Sequence, residues 1–438
     1  MSEIYHKIIQ MAEEMKPDLS KQRRCLHQYP ELGWCEMRTS SLIARKLKDF
    51  GYDEVLVGKD VCDAASRMGL PPQEELELQY RRAEKQGADP EFLPATRGGF
   101  TGVIGILHCG EGPTVALRFD IDALPLTETL EPSHLPNALG FSSRNPGVMH
   151  ACGHDGHTTI GLGTAKILVS IRDQLHGTLK LIFQPAEEGV RGAKSIVEKG
   201  HLDGVDYVLG AHLNGGTDKT AGSIGAGRGT TLATTKMDVT FSGKAAHAGM
   251  SPEKGKNAML AAVTAVLNLH AIPRFGDAAT RVNVGKLTAG SGRNMICDHA
   301  KLELEVRGNT AEANQYMEDY AHRIVCAAAA MHDCKVKTEF VGSAKCSLNS
   351  PELSELVRKV ILEKAGIPTL SSPDGLTGSE DYSYFSERVQ QQGGQSCYFL
   401  NIVHCAGPFH NPEFDFDEVG LVNGVKAFSV MSANLMNA

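Results

Sequence analysis

Nine residues, Met149-His-Ala-Cys-Gly-His-Asp-Gly-His157, hold three histidines, a thiol and a carboxylate, an inventory suited to a divalent transition metal. Gly153 separates Cys152 from His154 and lets the backbone turn, so both side chains can reach one site. A second signal, Gln184-Pro-Ala-Glu-Glu188, follows the apolar run Leu181 to Phe183. Neighbouring side chains on extended backbone point apart. One of Glu187 and Glu188 can therefore bind a metal while the other acts as general base toward a water, the division of work that hydrolysis needs. His212 closes the run Tyr207-Val-Leu-Gly-Ala-His, and His410 stands in Phe409-His-Asn-Pro, with His404 as its rival. In Arg118-Phe-Asp-Ile-Asp122, Asp120 and Asp122 share one face of an extended chain, which suits Asp122 to steady the second nitrogen of a metal-bound histidine.

Each signal also has a structural reading. Asp155 can cap a helix start, a Glu-Glu pair can sit solvated in a loop, and single histidines are usually core or surface residues. The absence of a Gly-x-Ser-x-Gly elbow argues against a serine hydrolase. The run Gly222-Ser-Ile-Gly-Ala-Gly-Arg-Gly229 lacks a complete G-x-G-x-x-G and a following helix, so it reads as a hinge rather than a dinucleotide loop.

The elements that must position these groups alternate along the chain. Thr101 to Leu107, Thr114 to Arg118, Thr178 to Phe183 and Tyr207 to His212 read as strands and Thr158 to Gln174 as a helix, which predicts an α/β unit built on a mainly parallel sheet with chemistry at its strand ends. A β-α-β-β-α-β series follows: Thr234 to Ser242, Asn257 to Ala271, Arg281 to Leu287, Ala300 to Arg307, Ala311 to Met331 and Lys335 to Val341, the order of a ferredoxin-like unit. We therefore expect a metal-binding domain of residues 1–224 and 343–438, with a second domain of residues 225–342 inserted into it. Lys59 to Gly98 is charged and helix-prone and reads as a surface insertion about 59–98. A chain of 438 residues is long enough for two domains.

The formal charge of -8 argues against a nucleic-acid partner. Charges interrupt the apolar residues of the first helix-like segment, MSEIYHKIIQMAEEMK, and apolar runs such as Ile324 to Met331 fall short of the ~20 residues that span a bilayer. No membrane partner is expected. Eleven cysteines without C-x-x-C pairing suit free thiols in a reducing cytoplasm.

The clusters taken together, with Arg23-Arg-Cys-Leu-His-Gln-Tyr-Pro-Glu-Leu-Gly33, Gly243-Lys-Ala-Ala-His247 and Gly378-Ser-Glu-Asp381, resemble the family of dinuclear metallo-aminoacylases and carboxypeptidases. The resemblance spans nearly the whole chain. It implies a metallopeptidase fold with a lid or dimerisation domain. It also implies two divalent ions, Mn2+ or Zn2+, held by Cys152, His154, Glu188, His212 and His410, with Cys152 as the bridge and Glu187 as general base. By the same resemblance Asp122 supports a histidine ligand, His247 reaches across a dimer to stabilise the oxyanion, and Asn294 and Arg307 hold the substrate's terminal carboxylate. The Lys59 to Gly98 insertion, with Ser66-Arg-Met-Gly-Leu70, Gly290-Ser-Gly-Arg-Asn294 and Phe414-Asp-Phe-Asp-Glu418, looks most like family members that cleave aroyl-glutamates. The expected reaction is hydrolysis of the amide of p-aminobenzoyl-glutamate by a homodimer, or by a heteromer with a related second subunit. The alternatives are an aminoacylase or dipeptidase of other specificity, and a non-catalytic subunit.

Overall fold

The computed structural model describes residues 3–227, 230–346, 349–371 and 376–437; Arg228 and Gly229 of the glycine-rich run lie outside them. Among the described residues fourteen strands occur: β1 (Glu54–Val57), β2 (Val103–His108), β3 (Thr114–Asp120), β4 (Thr178–Gln184), β5 (Tyr207–Gly215), β6 (Ile224–Ala226), β7 (Thr230–Thr231), β8 (Ala233–Ser242), β9 (Thr280–Ala289), β10 (His299–Gly308), β11 (Lys335–Ala344), β12 (Thr369–Ser371), β13 (Leu376–Thr377) and β14 (Gln395–Val403). Eight of them form one sheet in the order β1-β2-β4-β3-β5-β14-β6-β12. Its centre, β4-β3-β5-β14, is parallel, with β2 antiparallel to β4 at one side. The central strands are rich in Val, Leu, Ile and Phe because both of their faces are covered.

One face packs against the helices His154–Ser170 and Val419–Leu435. There Phe428 stacks edge-on to Phe119 and tilted against Phe399, at centroid distances of 4.8 and 4.9 Å. The amphipathic helix Glu3–Glu14 adds Tyr5, Ile8 and Ala12 to this core. The other face packs Ile182, Val208 and Tyr398 against Trp34 and Phe385. Val61, Cys62, Leu76, Ala83 and Leu93 belong to this second core. The segment Lys59 to Gly98 is thus not confined to the surface. Its helix Gln73–Lys85 is charged on one side only, and Leu76 and Ala83, seven residues apart on one stripe, face inward.

The small sheet runs β11-β8-β10-β9, all antiparallel. With the helices Ala258–Leu269 and Ala311–Met331 between its strands, it has the ferredoxin-like order expected from the sequence. Asn257 caps the first of these helices through the N–H groups of Met259 and Leu260, and Thr310 caps the second through that of Ala313.

Gly161 sets how closely the helix that begins at His154 approaches the large sheet. A β-carbon there would stand 2.7 Å from both the Phe119 and Phe183 rings, on the strands that end in Asp120 and Gln184. Gly161→Val is therefore expected to lower the unfolding free energy by ~1–3 kcal/mol through overpacking, and to weaken metal uptake as His154 shifts. Urea unfolding with and without added Mn2+ checks this; unchanged stability would show that the helix does not need this close approach.

Candidate metal centre

Gly153 adopts φ +90°, a left-handed conformation that a glycine takes without strain. It turns the chain between Cys152 and His154, the first residue of its helix. The Cys152 thiol lies 3.4 Å from His212 Nε2, and His410 Nε2 lies 3.6 Å from Glu188 Oε1. Ligand atoms of Cys152, His154 and His212 fall within 4.8 Å of one another, and so do those of Cys152, Glu188 and His410. All five residues singled out as ligands in the sequence are therefore gathered, and Cys152 is common to the two triplets. His404 faces Asp218 on the surface instead, at 3.7 Å.

β5 continues to Gly215, so His212 lies within the strand rather than at its end. Its pairing with β3 nevertheless stops at Gly210, so His212 stands beyond the neighbouring ladder. His410 has φ +59°, and its N–H donates to Ala151 at 2.8 Å, which fixes the loop against the cysteine turn.

The third histidine of the cluster has a different task. His157 Nε2 accepts the Leu213 N–H at 2.9 Å, so its proton sits on Nδ1, which donates to Asp120 at 2.5 Å. Both ring nitrogens are used, and the imidazole ties the helix to β3 and β5. His154 donates from Nδ1 to the Asp122 carbonyl at 2.9 Å, with the Asp122 carboxylate at 3.3 Å. Support from Asp122 thus comes first through its backbone. Its carboxylate instead accepts the N–H groups of Glu187 and Glu188 at 3.0 and 2.9 Å.

The turn carrying Glu187 and Glu188 is held from several sides. Glu36 accepts the N–H of Ala186 at 2.7 Å, where the chain takes φ +52°. Asp381 accepts those of Gly192 and Ala193 at 3.0 and 2.9 Å. The buried Arg118 joins Gln184, Asp120, Glu380 and Asp381 at 2.6 to 3.1 Å. Behind the histidine cluster, Arg23 and His27 each meet the Asp155 carboxylate at 2.8 Å, so Asp155 anchors a buried ion network.

The donor set fits a divalent cation. His154 Nε2 and Glu188 Oε1 are buried with no hydrogen-bond partner, a costly state unless a ligand completes them. Burial raises the Cys152 thiol, and burial outweighs the nearby His154 in raising Glu188 to about 7. Burial, then Glu380 and Glu188, raise Glu187 well above the carboxylate range. Burial, then His154 and Lys236, lower His410 and keep its imidazole neutral. Protons that sit on these groups are what a bound cation would replace.

These residues open onto a cleft of about 500 Å³ between the two sheets, lined also by Lys236, Arg307, Ser379 and Glu380. Arg307 is one of the residues lining this cleft. His247 and Asn294 do not line the cleft of their own chain. They are exposed neighbours on the small sheet's connections, where His247 bridges to Met295 and the Ala248 N–H donates to Asn294 O at 2.9 Å. Sequence reasoning missed Glu36, Lys236 and the roles of Arg118 and Glu380. Arg118 and Glu380 stand inside motifs that the sequence singled out for other residues, and Lys236 is one of two charges on β8, with Asp238.

Residues 116–434 match peptidase family M20/M25/M40. The indole-3-acetyl-aspartic acid hydrolase of Enterobacter agglomerans is 44% identical over 96% of both chains. One subunit of the p-aminobenzoyl-glutamate hydrolase of Escherichia coli K12 is 44% identical over 97% of both. Among solved structures, the aminobenzoyl-glutamate utilization protein from Klebsiella pneumoniae superposes with TM-score 0.84 at 38% identity, covering 97% of both chains. The YXEP protein of Bacillus subtilis, described as a dinuclear metal binding peptidase, superposes with TM-score 0.65 at 26% identity, covering 97% of this chain and 99% of that one.

Burial beside Asp122 raises the Glu36 carboxyl from its ordinary 4.5 to about 8. Native Glu36 therefore holds a proton that the unfolded chain has released, and stability must fall as pH climbs through that interval. Glu36→Gln should remove up to ~1.4 kcal/mol per pH unit of this decline. Urea unfolding of chelator-treated protein at several pH values between the two figures reads it; parallel profiles for variant and wild type would show that Glu36 is ionised in the folded state.

Proposed function

This chain belongs to peptidase family M20/M25/M40 and is a metallo-amidohydrolase, and from that premise we propose that it hydrolyses the amide bond of p-aminobenzoyl-glutamate to p-aminobenzoate and glutamate. The observation that carries the proposal is the convergence of Cys152, His154, Glu188, His212 and His410 into two triplets sharing one thiol, with Glu187 beside them as the general base. Relatives over nearly the whole chain act, by their names, on an acyl-glutamate and an acyl-aspartate, which supports an acidic amino acid in the departing half.

The site would hold two divalent ions, Mn2+ or Zn2+. The thiolate at the shared position favours zinc and the oxygen and nitrogen donors tolerate manganese. Such ions, when bound, supply Lewis acidity toward water and the scissile carbonyl. Glu187 lies 9% exposed at the cleft wall, in reach of a water brought to the ligands. Ionised, it takes the proton as the water attacks and then returns that proton to the departing arylamine. Arg307, on the cleft wall, orients a carboxylate.

The exposed His247 acts from the partner chain, where it donates to the developing oxyanion. A partner chain is supported by the apolar residues Leu260, Val263 and Leu267, which are 50%, 39% and 69% exposed on the helix Ala258–Leu269, and by the open edge of β9. That partner is a second copy of this chain or a different, related chain, since the name of the Escherichia coli relative makes it one component of its enzyme. Among the described residues no helix is long and apolar enough to cross a membrane.

Purified chain with added Mn2+ should show a higher kcat/KM for p-aminobenzoyl-glutamate than for benzoyl-glycine or acetyl amino acids. A preference for indole-3-acetyl-aspartate would move the proposal to that substrate. Glu187→Gln should keep its metal by elemental analysis and lose at least ~10²-fold in kcat; near-normal turnover would remove Glu187 from the role. Mixing Glu187→Gln with His247→Ala chains should restore activity from two inactive preparations, because a mixed dimer contains one complete site. No recovery after confirmed exchange of chains would place His247 in its own chain's site or outside catalysis.

A further inference from the structure

Lys236 lies on β8 and points into the cleft that contains the candidate metal ligands. Its position across the ladder is opposite Glu305 on β10 and Gly342 on β11. It is partly buried, and among the described residues its ammonium has no ion pair or hydrogen bond. The other cation of the same wall is differently placed. Arg307 presents Nε and Nη2 to the Glu305 carboxylate at 2.9 and 3.0 Å, leaving Nη1 toward Ser379 at 3.5 Å. This two-point pair occupies Nε and Nη2 and leaves Nη1 as the nitrogen available to a substrate carboxylate. Lys236 has no such direct pair, although Glu305 and Glu187 lie near enough to act on its charge, and it adds a second cation to this wall of the cleft.

Register places the two cations together. Arg307 stands opposite Thr234, so Lys236 is its diagonal neighbour on the same face, at a spacing of ~7–8 Å along such a ladder. Long side chains at that spacing can hold the two carboxylates of one short dicarboxylic acid. A neutral amino acid would leave the Lys236 ammonium without a direct ion pair, and a partly desolvated ammonium in that state is unfavourable.

We propose that Lys236 receives the side-chain carboxylate of the acidic amino acid on the departing half of the substrate, while Arg307 receives its α-carboxylate. This assignment rests on the reading of the chain as an acyl-amino-acid hydrolase and adds the residue that selects glutamate over its neutral analogues. Burial pushes the Lys236 ammonium down, opposed by Glu305 and Glu187, so an incoming carboxylate also relieves a strained charge. The strict consequence is a contact made only with acidic substrates.

The test compares p-aminobenzoyl-glutamate with p-aminobenzoyl-glutamine, which differ only at that carboxylate, in Mn2+-loaded wild type, Lys236→Met and Lys236→Arg. For wild type the ratio of kcat/KM values should favour glutamate. Lys236→Met should shrink that ratio by ~10- to 100-fold, the value of one hydrogen bond to a charged group, through KM more than kcat, and Lys236→Arg should restore part of it. Competitive inhibition by free glutamate against glutamine should weaken in step. If the Met variant does not fold, Lys236→Gln gives the same comparison. An unchanged ratio in an active enzyme, or equal losses on both substrates, overturns the role of Lys236 alone. A wild type that cleaves neither compound overturns the hydrolase reading and this assignment with it.

Discussion

Three successive peptide N–H groups, at Ala186, Glu187 and Glu188, are claimed by two buried carboxylates, those of Glu36 and Asp122, and most of the site's geometry follows from that arrangement. The chain must cross a left-handed residue at Ala186 to present them, a conformation that a residue with a side chain adopts only when its surroundings enforce it. Asp381 takes two further N–H groups, those of Gly192 and Ala193. The acidic pair thus stands on a turn with few degrees of freedom. The supporting carboxylates come from a helix N-terminus, a strand end and a loop some two hundred residues later, so the turn records the correct packing of the large sheet.

The same groups explain why so many charges survive in the interior. Arg118 lies fully buried among Asp120, Glu380 and Asp381, and Arg23 among Asp155 and Asp415. Isolated, each would be expelled or neutralised. His154 and His157 with Arg118 hold Asp120 ionised, and Arg23 with His27 does the same for Asp155, and those two carboxylates steady His157 and the start of the helix that bears His154. Charge is kept inside where it orients a donor of the candidate metal centre, and the apolar layers of Phe119, Phe183 and Phe428 surround it.

Much of this was legible in the sequence. The nine-residue cluster is a ligand inventory in itself, and the Glu-Glu pair and His212 belong to apolar runs of the kind that a parallel sheet ends in exposed side chains, so all were readable as candidates without coordinates. The ferredoxin-like series showed clean alternation of periods, and its helix Ala311–Met331 has the limits expected from the pattern. What could not be read were relations between distant segments. Nothing local distinguishes Glu36 from any other glutamate at a helix start, and Lys236 on a strand reads as a solvated face until the second sheet is brought over it. The Lys59 to Gly98 segment was read as surface because its charge is high; its buried residues are few and widely spaced, and only the opposing face of the sheet reveals that they belong to a core.

His410 differs from the other four gathered donors in its relation to solvent. Its ring is 54% exposed, whereas His154 is fully buried, and it hangs on a loop joined to the cysteine turn by one backbone hydrogen bond. A cation seated among these residues would have four donors set in the folded core and a fifth that faces solvent. Exchange with the surrounding medium would then pass on the side of that one imidazole, away from the packed faces of the two sheets.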